Sequence, residues 1–341
     1  MQTQLIEKIY SHMGDSYSKE MYGYRLLYST TGDTRWIEKV VSMTEEGQRF
    51  LNVLKENAGA EKIIFGTGTW GVGLLKTFPD YKWDFFADNF PKSDEKSGIP
   101  VISFDELSKN HRDSLIVIAT RLYHKEILQQ LLADGFRREN IINMGLMVDE
   151  LSRRQYFDLA ELPHEEEEVF VDCGCFDGMT SMFFAEWCQN RFSHIYAFEP
   201  DQENFIKCKK LLEDKFSPSS VDIFNCGLWN KAETLLFDAV SSGASKVTDQ
   251  GKSQIQVKRL DDIIKGRVSF LKMDIEGSEY NALIGGGGII KRCWPKMAIS
   301  IYHKPEDMWE IPGLLLEYNP KYRFYLRHYS VAADETVLYA V

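Results

Sequence analysis

The chain has 341 residues, with 51 acidic and 40 basic side chains and a formal net charge of −11. That length accommodates two domains of ordinary size, whose cores need no disulfide or metal staples. The negative balance argues against a general affinity for nucleic acid or for an anionic membrane, because both are polyanions.

The opening stretch, MQTQLIEKIY, carries Glu7 and lacks the apolar core of a signal peptide. No run reaches the ~20 apolar residues of a membrane span. Six cysteines (Cys173, Cys175, Cys188, Cys208, Cys226 and Cys293) lie scattered in apolar stretches. Their spacing fits neither a disulfide framework nor a zinc site, since no second Cys or His pair completes Cys173-Gly-Cys175. Reduced thiols and a cytoplasmic location are the expectation.

In chain order, residues 1–57 are predicted helical: Leu5, Ile6 and Ile9, then Trp36, Ile37, Val40 and Val41, recur at helical spacing. Residues 58–148 are predicted to form a small doubly wound α/β domain. Its strands are Lys62–Phe65, Asp84–Asp88 and Leu115–Thr120, with helices after the first and third. The charged stretch 149–168, ending in Glu165-Glu166-Glu167-Glu168, is predicted to be a solvated linker. Residues 169–341 form a second α/β domain. Seven strands are predicted there: Val169–Cys173, His194–Glu199, Val221–Gly227, Val268–Asp274, Met297–Tyr302, Tyr322–His328 and Thr336–Val341. Five crossover-linked strands followed by a hairpin imply a mostly parallel sheet with one antiparallel strand near an edge.

The segment Val171-Asp172-Cys173-Gly174-Cys175-Phe176-Asp177-Gly178-Met179-Thr180 carries the most specific chemistry. An apolar strand ends in an acid, and two glycines four residues apart let the backbone turn closely around a ligand. The next strand ends in Glu199-Pro200, and Glu199 follows Gly178 by 21 residues. That is near the ~20-residue offset at which an acid reaches a ribose diol. Ligands of open α/β sheets sit beyond the carboxyl ends of the strands, so both elements address one crevice. The run Gly285–Gly288 follows a helix and reads as a helix C-terminal turn rather than a phosphate loop.

The Asp-x-Gly-x-x-x-Gly-x-Thr loop and Phe198-Glu199-Pro200 resemble motif I and its successor in class I methyltransferases. Lys272-Met273-Asp274-Ile275-Glu276-Gly277-Ser278-Glu279, preceded by Leu260-Asp261-Asp262, resembles the signature of FkbM-type methyltransferases. The resemblance covers residues 169–341. It implies a class I methyltransferase, with a Rossmann-like seven-stranded sheet preceded by the smaller Rossmann-like α/β domain and the helical N-terminal segment.

The resemblance also implies a donor, S-adenosyl-L-methionine. Asp172, Gly174 and Gly178 would hold its methionine part, beside Thr180 at the helix start. Glu199 would take the ribose hydroxyls, and Asn225 and Cys226 would lie near the adenine. Gly178→Val would then block the methionine carboxylate while leaving the fold intact. The acceptor implied is a hydroxyl on a sugar or related small molecule or glycan intermediate.

Asp274, Glu276 and His303 stand where a general base for O-methylation is needed. A divalent cation held by the same three is the alternative. The family more often shows Glu-x-His at the fifth strand, whereas this chain has Ser300-Ile301-Tyr302-His303, so no metal ligands are assigned. Arg327-His328-Tyr329 could extend a substrate wall.

A rival site lies in the first α/β domain. Gly66-x-Gly-x-x-Gly-x-Gly follows a strand, and Asp88 closes the next one 22 residues after Gly66, which matches a dinucleotide fingerprint. A nucleotide-binding protein using NAD or a nucleotide-sugar is therefore the alternative function. No Tyr-x-x-x-Lys segment follows and the domain is short, so a scaffold or substrate-presenting role is favoured, with a contribution to homo-oligomer formation.

Overall fold

A computed structural model describes residues 2–238, 246–247 and 253–341. The chain separates into two compact units. One comprises residues 1–22, 153–327 and 335–341; the other comprises residues 23–152 and 328–334.

The chain opens with four helices, α1 (Gln2–His12), α2 (Ser16–Thr31), α3 (Thr34–Ser42) and α4 (Glu45–Glu56). Asp33 and Thr44 cap α3 and α4 by accepting from the backbone N–H of Arg35 and Gly47. The predicted helical stretch is thus helical throughout, but the compact units divide it after Tyr22.

The smaller unit continues through β1 (Lys62–Phe65), α5 (Thr69–Thr77), β2 (Phe85–Asp88), β3 (Glu95–Lys96) and β4 (Ile99–Ser103). It is completed by α6 (Phe104–Asn110), β5 (Leu115–Ile118), α7 (His124–Ala133), β6 (Ile141–Asn143) and α8 (Met144–Arg154). Its sheet runs β3-β4-β2-β1-β5-β6, parallel except for the β3–β4 pair. Alternation along the strands sends Ile64, Phe86 and Val117 into one core and Ile63, Ala87 and Ile116 into another. Two buried faces are what a doubly wound sheet requires. Helices α3 and α4 supply Val41, Phe50, Leu51 and Leu54 to the first of these cores.

The larger unit carries β7 (Glu168–Cys173), α9 (Met179–Trp187), β8 (Phe192–Phe198), α10 (Gln202–Lys215), β9 (Val221–Phe224), β10 (Gly227–Leu228), β11 (Glu233–Asp238), β12 (Lys246–Val247) and β13 (Ser253–Lys258). Then come α11 (Leu260–Ile263), β14 (Phe270–Met273), α12 (Glu279–Gly285), α13 (Gly287–Cys293), β15 (Lys296–Ser300), α14 (Asp307–Tyr318), β16 (Phe324–His328) and β17 (Thr336–Ala340). Seven strands form one sheet in the order β16-β17-β15-β14-β7-β8-β9. Strands β15, β14, β7, β8 and β9 pair in parallel, and β17 is antiparallel to β15, as predicted. All six residues of β7 are buried. Phe170 stacks on Phe184 of α9 with ring centroids 4.1 Å apart, closing one face of the sheet.

Two features depart from the expectation, and a third, the glycine run, meets it at a helix end. A second sheet, β10-β13-β11-β12, was not predicted; the predicted strand Val221–Gly227 ends at Phe224, and its Gly227 begins β10. Glu168 is not a solvated linker residue: it is fully buried, and its carboxylate accepts from Lys296 Nζ at 2.8 and 2.9 Å. A buried ammonium facing it removes the reason for an acid to stay in water. The run Gly285–Gly288 is a helix end followed at once by α13, whose first N–H groups, of Gly288 and Ile289, donate to the Asp261 carboxylate. That anion-binding helix start is thereby filled from within. No helix among the described residues is long and apolar enough to cross a membrane.

Candidate functional site

The site lies in the larger unit, where β14, β7, β8 and β9 end side by side. After β7 the chain turns through Gly174 and Gly178, with φ of +80° and +88°. A Cβ at Gly174 would stand 2.0 Å from the carbonyl oxygen of Asp274. Only glycine permits this contact between the turn after β7 and the end of β14. The N–H groups of Gly174 and Cys175 both donate to the Phe198 carbonyl, which lays the turn across the end of β8.

Asp172 is fully buried. One carboxylate oxygen accepts from Ser181 Oγ at 2.8 Å, and the other lies 3.1 Å from Lys272 Nζ. Lys272 also donates to the carbonyls of Cys173 and Gly174, at 3.3 and 2.7 Å. Burial alone would lower the Lys272 pKa, but the Asp172 and Asp274 charges outweigh it and hold it above its ordinary value. Asp172 therefore fixes the turn through Lys272, and direct contact with a ligand, as expected for it, is not available to an inaccessible side chain.

Gly178 also needs correction. The space a side chain would take there is bounded by Cys208 and Leu212 of α10, at 3.3 Å. Gly178→Val would disturb that helix packing and a left-handed backbone, so it is not a fold-neutral probe of ligand binding. Thr180 is half-buried in the first turn of α9.

Glu199 sits one residue beyond β8. Its two oxygens accept from the backbone N–H of Phe176 at 3.0 Å and of Asp201 at 2.8 Å. Burial pushes its carboxyl up to about 7, and the two backbone hydrogen bonds work against that rise. Each oxygen keeps a second acceptor position. Asn225 is exposed and donates to the carbonyls of Glu199 and Pro200, so it secures the turn after β8. Cys226 is buried.

Asp274 directly follows β14, and Glu276 lies in the next turn with φ +56°, followed by Gly277 at +87°. His303 follows β15. Its Nε2 stands 3.5 Å from Asp274 Oδ1 and 3.6 Å from Glu276 Oε2, while Nδ1 stands 3.1 Å from Glu279 Oε1. Glu279, at the start of α12, thus faces the second ring nitrogen. The structure gathers the three predicted residues, and with them two that the sequence did not single out for a role. Glu279, fully buried, accepts from the Ile275 N–H at 2.8 Å. Tyr156, buried and at φ +76°, donates its hydroxyl to Asp274 Oδ2 at 2.7 Å.

Burial by itself would lower the His303 pKa, but Glu279, Glu276 and Asp274 raise it to about 11. Three carboxylates around one imidazole favour its charged form. Glu276 is raised by burial, with His303 opposing. Arg327, expected at a substrate wall, instead pairs with Asp15 at 2.9 Å and donates to Ser18.

In the smaller unit, Asp88 accepts from Thr67 Oγ1 at 2.7 Å and from the Phe90 N–H at 3.0 Å. The acid that a dinucleotide ribose would need is engaged by its own loop.

Residues 172–330 match the family model described as "Methyltransferase FkbM domain". Among solved structures, a methyltransferase FkbM from Methylobacillus flagellatus KT is similar at 21% identity and a TM-score of 0.54, covering 85% of this chain and 92% of that one. An rRNA methylase from Streptococcus thermophilus is similar at 16% identity and a TM-score of 0.34, covering 57% and 93%. No curated protein matches the chain.

Proposed function

We propose that this chain, whose residues 172–330 match the FkbM methyltransferase model, transfers the methyl group of S-adenosylmethionine to a hydroxyl oxygen of a sugar or related small intermediate. One observation carries the reading. The glycine turn after β7, Glu199 after β8 and the Asp274–Glu276–His303 group between β14 and β15 all stand at the same ends of parallel strands in one sheet. The sugar acceptor rests on the resemblance of the Lys272–Glu279 signature.

The residues present suit the donor. Glu199 offers two oxygens fixed by backbone N–H groups, each retaining acceptor capacity for a hydroxyl. Gly174 lets the turn after β7 lie directly against the end of β14. The start of α9, at Thr180, provides backbone N–H groups toward a carboxylate. The bound donor supplies an electrophilic methyl carbon on a sulfonium. The chain's task is to hold the acceptor oxygen in line behind that carbon and to remove its proton. Glu276 is placed for the proton: its side chain is more exposed than that of Asp274, 26% against 19%, and Asp274 already receives the Tyr156 hydroxyl. As the oxygen's lone pair forms the O–C bond, the C–S pair remains on sulfur, giving S-adenosylhomocysteine, and Glu276 takes the hydroxyl proton.

The test is transfer of labelled methyl to a panel of free and nucleotide-linked sugars, with products located by mass spectrometry. An O-methyl product is expected, and Glu276→Gln should slow its formation by roughly 100-fold or more. Methylation at nitrogen or carbon alone, or full activity of Glu276→Gln, contradicts the reading.

A further inference from the structure

The surroundings of His303 contain more than a proton-accepting site requires. Its side chain is 9% exposed, and neither ring nitrogen makes a well-formed hydrogen bond, although Glu279 Oε1 stands 3.1 Å from Nδ1. Asp274 Oδ1 is likewise buried without one. Nε2 points between two carboxylate oxygens, at 3.5 and 3.6 Å, too far for good hydrogen bonds. The nearest ligand atoms of Asp274, Glu276 and His303 all lie within 4.8 Å of one another. Two donors about 2.1 Å from a shared ion stand ~3.0–3.4 Å apart at octahedral or tetrahedral angles, so small side-chain shifts would complete the shell.

The atoms behind these three are arranged as an outer shell. Glu279 faces Nδ1 at 3.1 Å, the carboxylate–imidazole pairing that fixes the tautomer of a metal-bound histidine. The Ile275 N–H holds Glu279 in turn. Tyr156 takes Asp274 Oδ2, leaving Oδ1 directed at His303. At Glu276 the backbone occupies a left-handed conformation that an L-residue adopts only at a cost, and this places its carboxylate opposite Asp274.

We propose that Asp274, Glu276 and His303 bind one divalent cation of the first transition series, Glu276 through Oε2 alone so that Oε1 remains for the acceptor proton, with Glu279 and Tyr156 orienting the ligands. Two carboxylate oxygens and one imidazole nitrogen suit Mn2+ better than Ca2+, which prefers oxygen alone. Open positions on the ion would face the acceptor hydroxyl. That catalytic use rests on the methyltransferase reading, whereas the ion's binding does not.

The experiment titrates Mn2+ into the full-length chain, stripped with chelator, and follows it by electron paramagnetic resonance. One ion per chain is expected, with spin-echo modulation from a coordinated 14N. His303→Gln should abolish the modulation, and Asp274→Asn should weaken binding by at least ~10-fold. Circular dichroism confirms that each variant is folded. Absence of saturable Mn2+ binding by the unmodified chain, or 14N modulation that persists in folded His303→Gln, overturns the proposal. S-adenosylhomocysteine titrated onto the same samples separates the claims: if it binds and Mn2+ does not, only the ion site fails.

Discussion

Glu199 carries the clearest consequence of burial at a single residue. Its carboxyl is held near 7 because burial penalises the charge, while the N–H groups of Phe176 and Asp201 pull the other way. The charged groups around it are Asp201, which raises the pKa, and Lys272, which lowers it. The ionised form is the better acceptor for two hydroxyls, and the folded-state pKa lies above the ordinary carboxylate value. Affinity for S-adenosylhomocysteine should therefore rise with pH through 7 and level off above it. If only the carboxylate binds, the gain between pH 6 and 8 is about 10-fold. Calorimetry across that range checks it, and a flat profile removes Glu199 from the ribose contact. The sequence made Glu199, Asp274 and His303 legible because each follows a strand of the predicted sheet. Tyr156 was not legible, since its bond to Asp274 spans 118 positions and no local pattern announces it.

At the scale of elements, the glycine turn is held in place by a neighbouring strand. Lys272 on β14 joins the Asp172 carboxylate on β7 and the carbonyls of the turn that follows it. Both side chains are almost wholly out of water, so removing one leaves a charge that nothing compensates. Lys272→Met should cost about 3–5 kcal/mol in denaturant unfolding. The Asp172→Asn/Lys272→Met double variant should recover part of that loss, and a double variant as unstable as the single one would contradict the pairing. The resemblance quoted Lys272 within a signature, but its partner was visible only once β7 and β14 were known to be adjacent. The seven strands of the large sheet were readable from their apolar runs. The second sheet was missed because β11 has an apolar run of only three residues, Leu235–Phe237, β13 sets two apolar residues among polar ones, and β10 and β12 have two residues each.

The whole chain forms two compact units that do not follow its linear segments. Residues 1–22 belong with the larger unit, and residues 34–56 contribute to one core of the smaller sheet. Helical periodicity located these helices without assigning them to a unit, because it reports which face is buried and not against what. The same limit applied to Glu165–Glu168: charge density suggests solvent, and only the fold brings Lys296 to Glu168.

The central claim is that the larger unit binds the methyl donor at the ends of β7 and β8. Calorimetric titration of the full-length chain with S-adenosylhomocysteine tests it most directly, with NAD as the comparison and Glu199→Ala as the site variant. One saturable site for S-adenosylhomocysteine, lost or severely weakened in Glu199→Ala and absent for NAD, is predicted. Binding of NAD alone would place the ligand site at residues 66–88 and contradict the account.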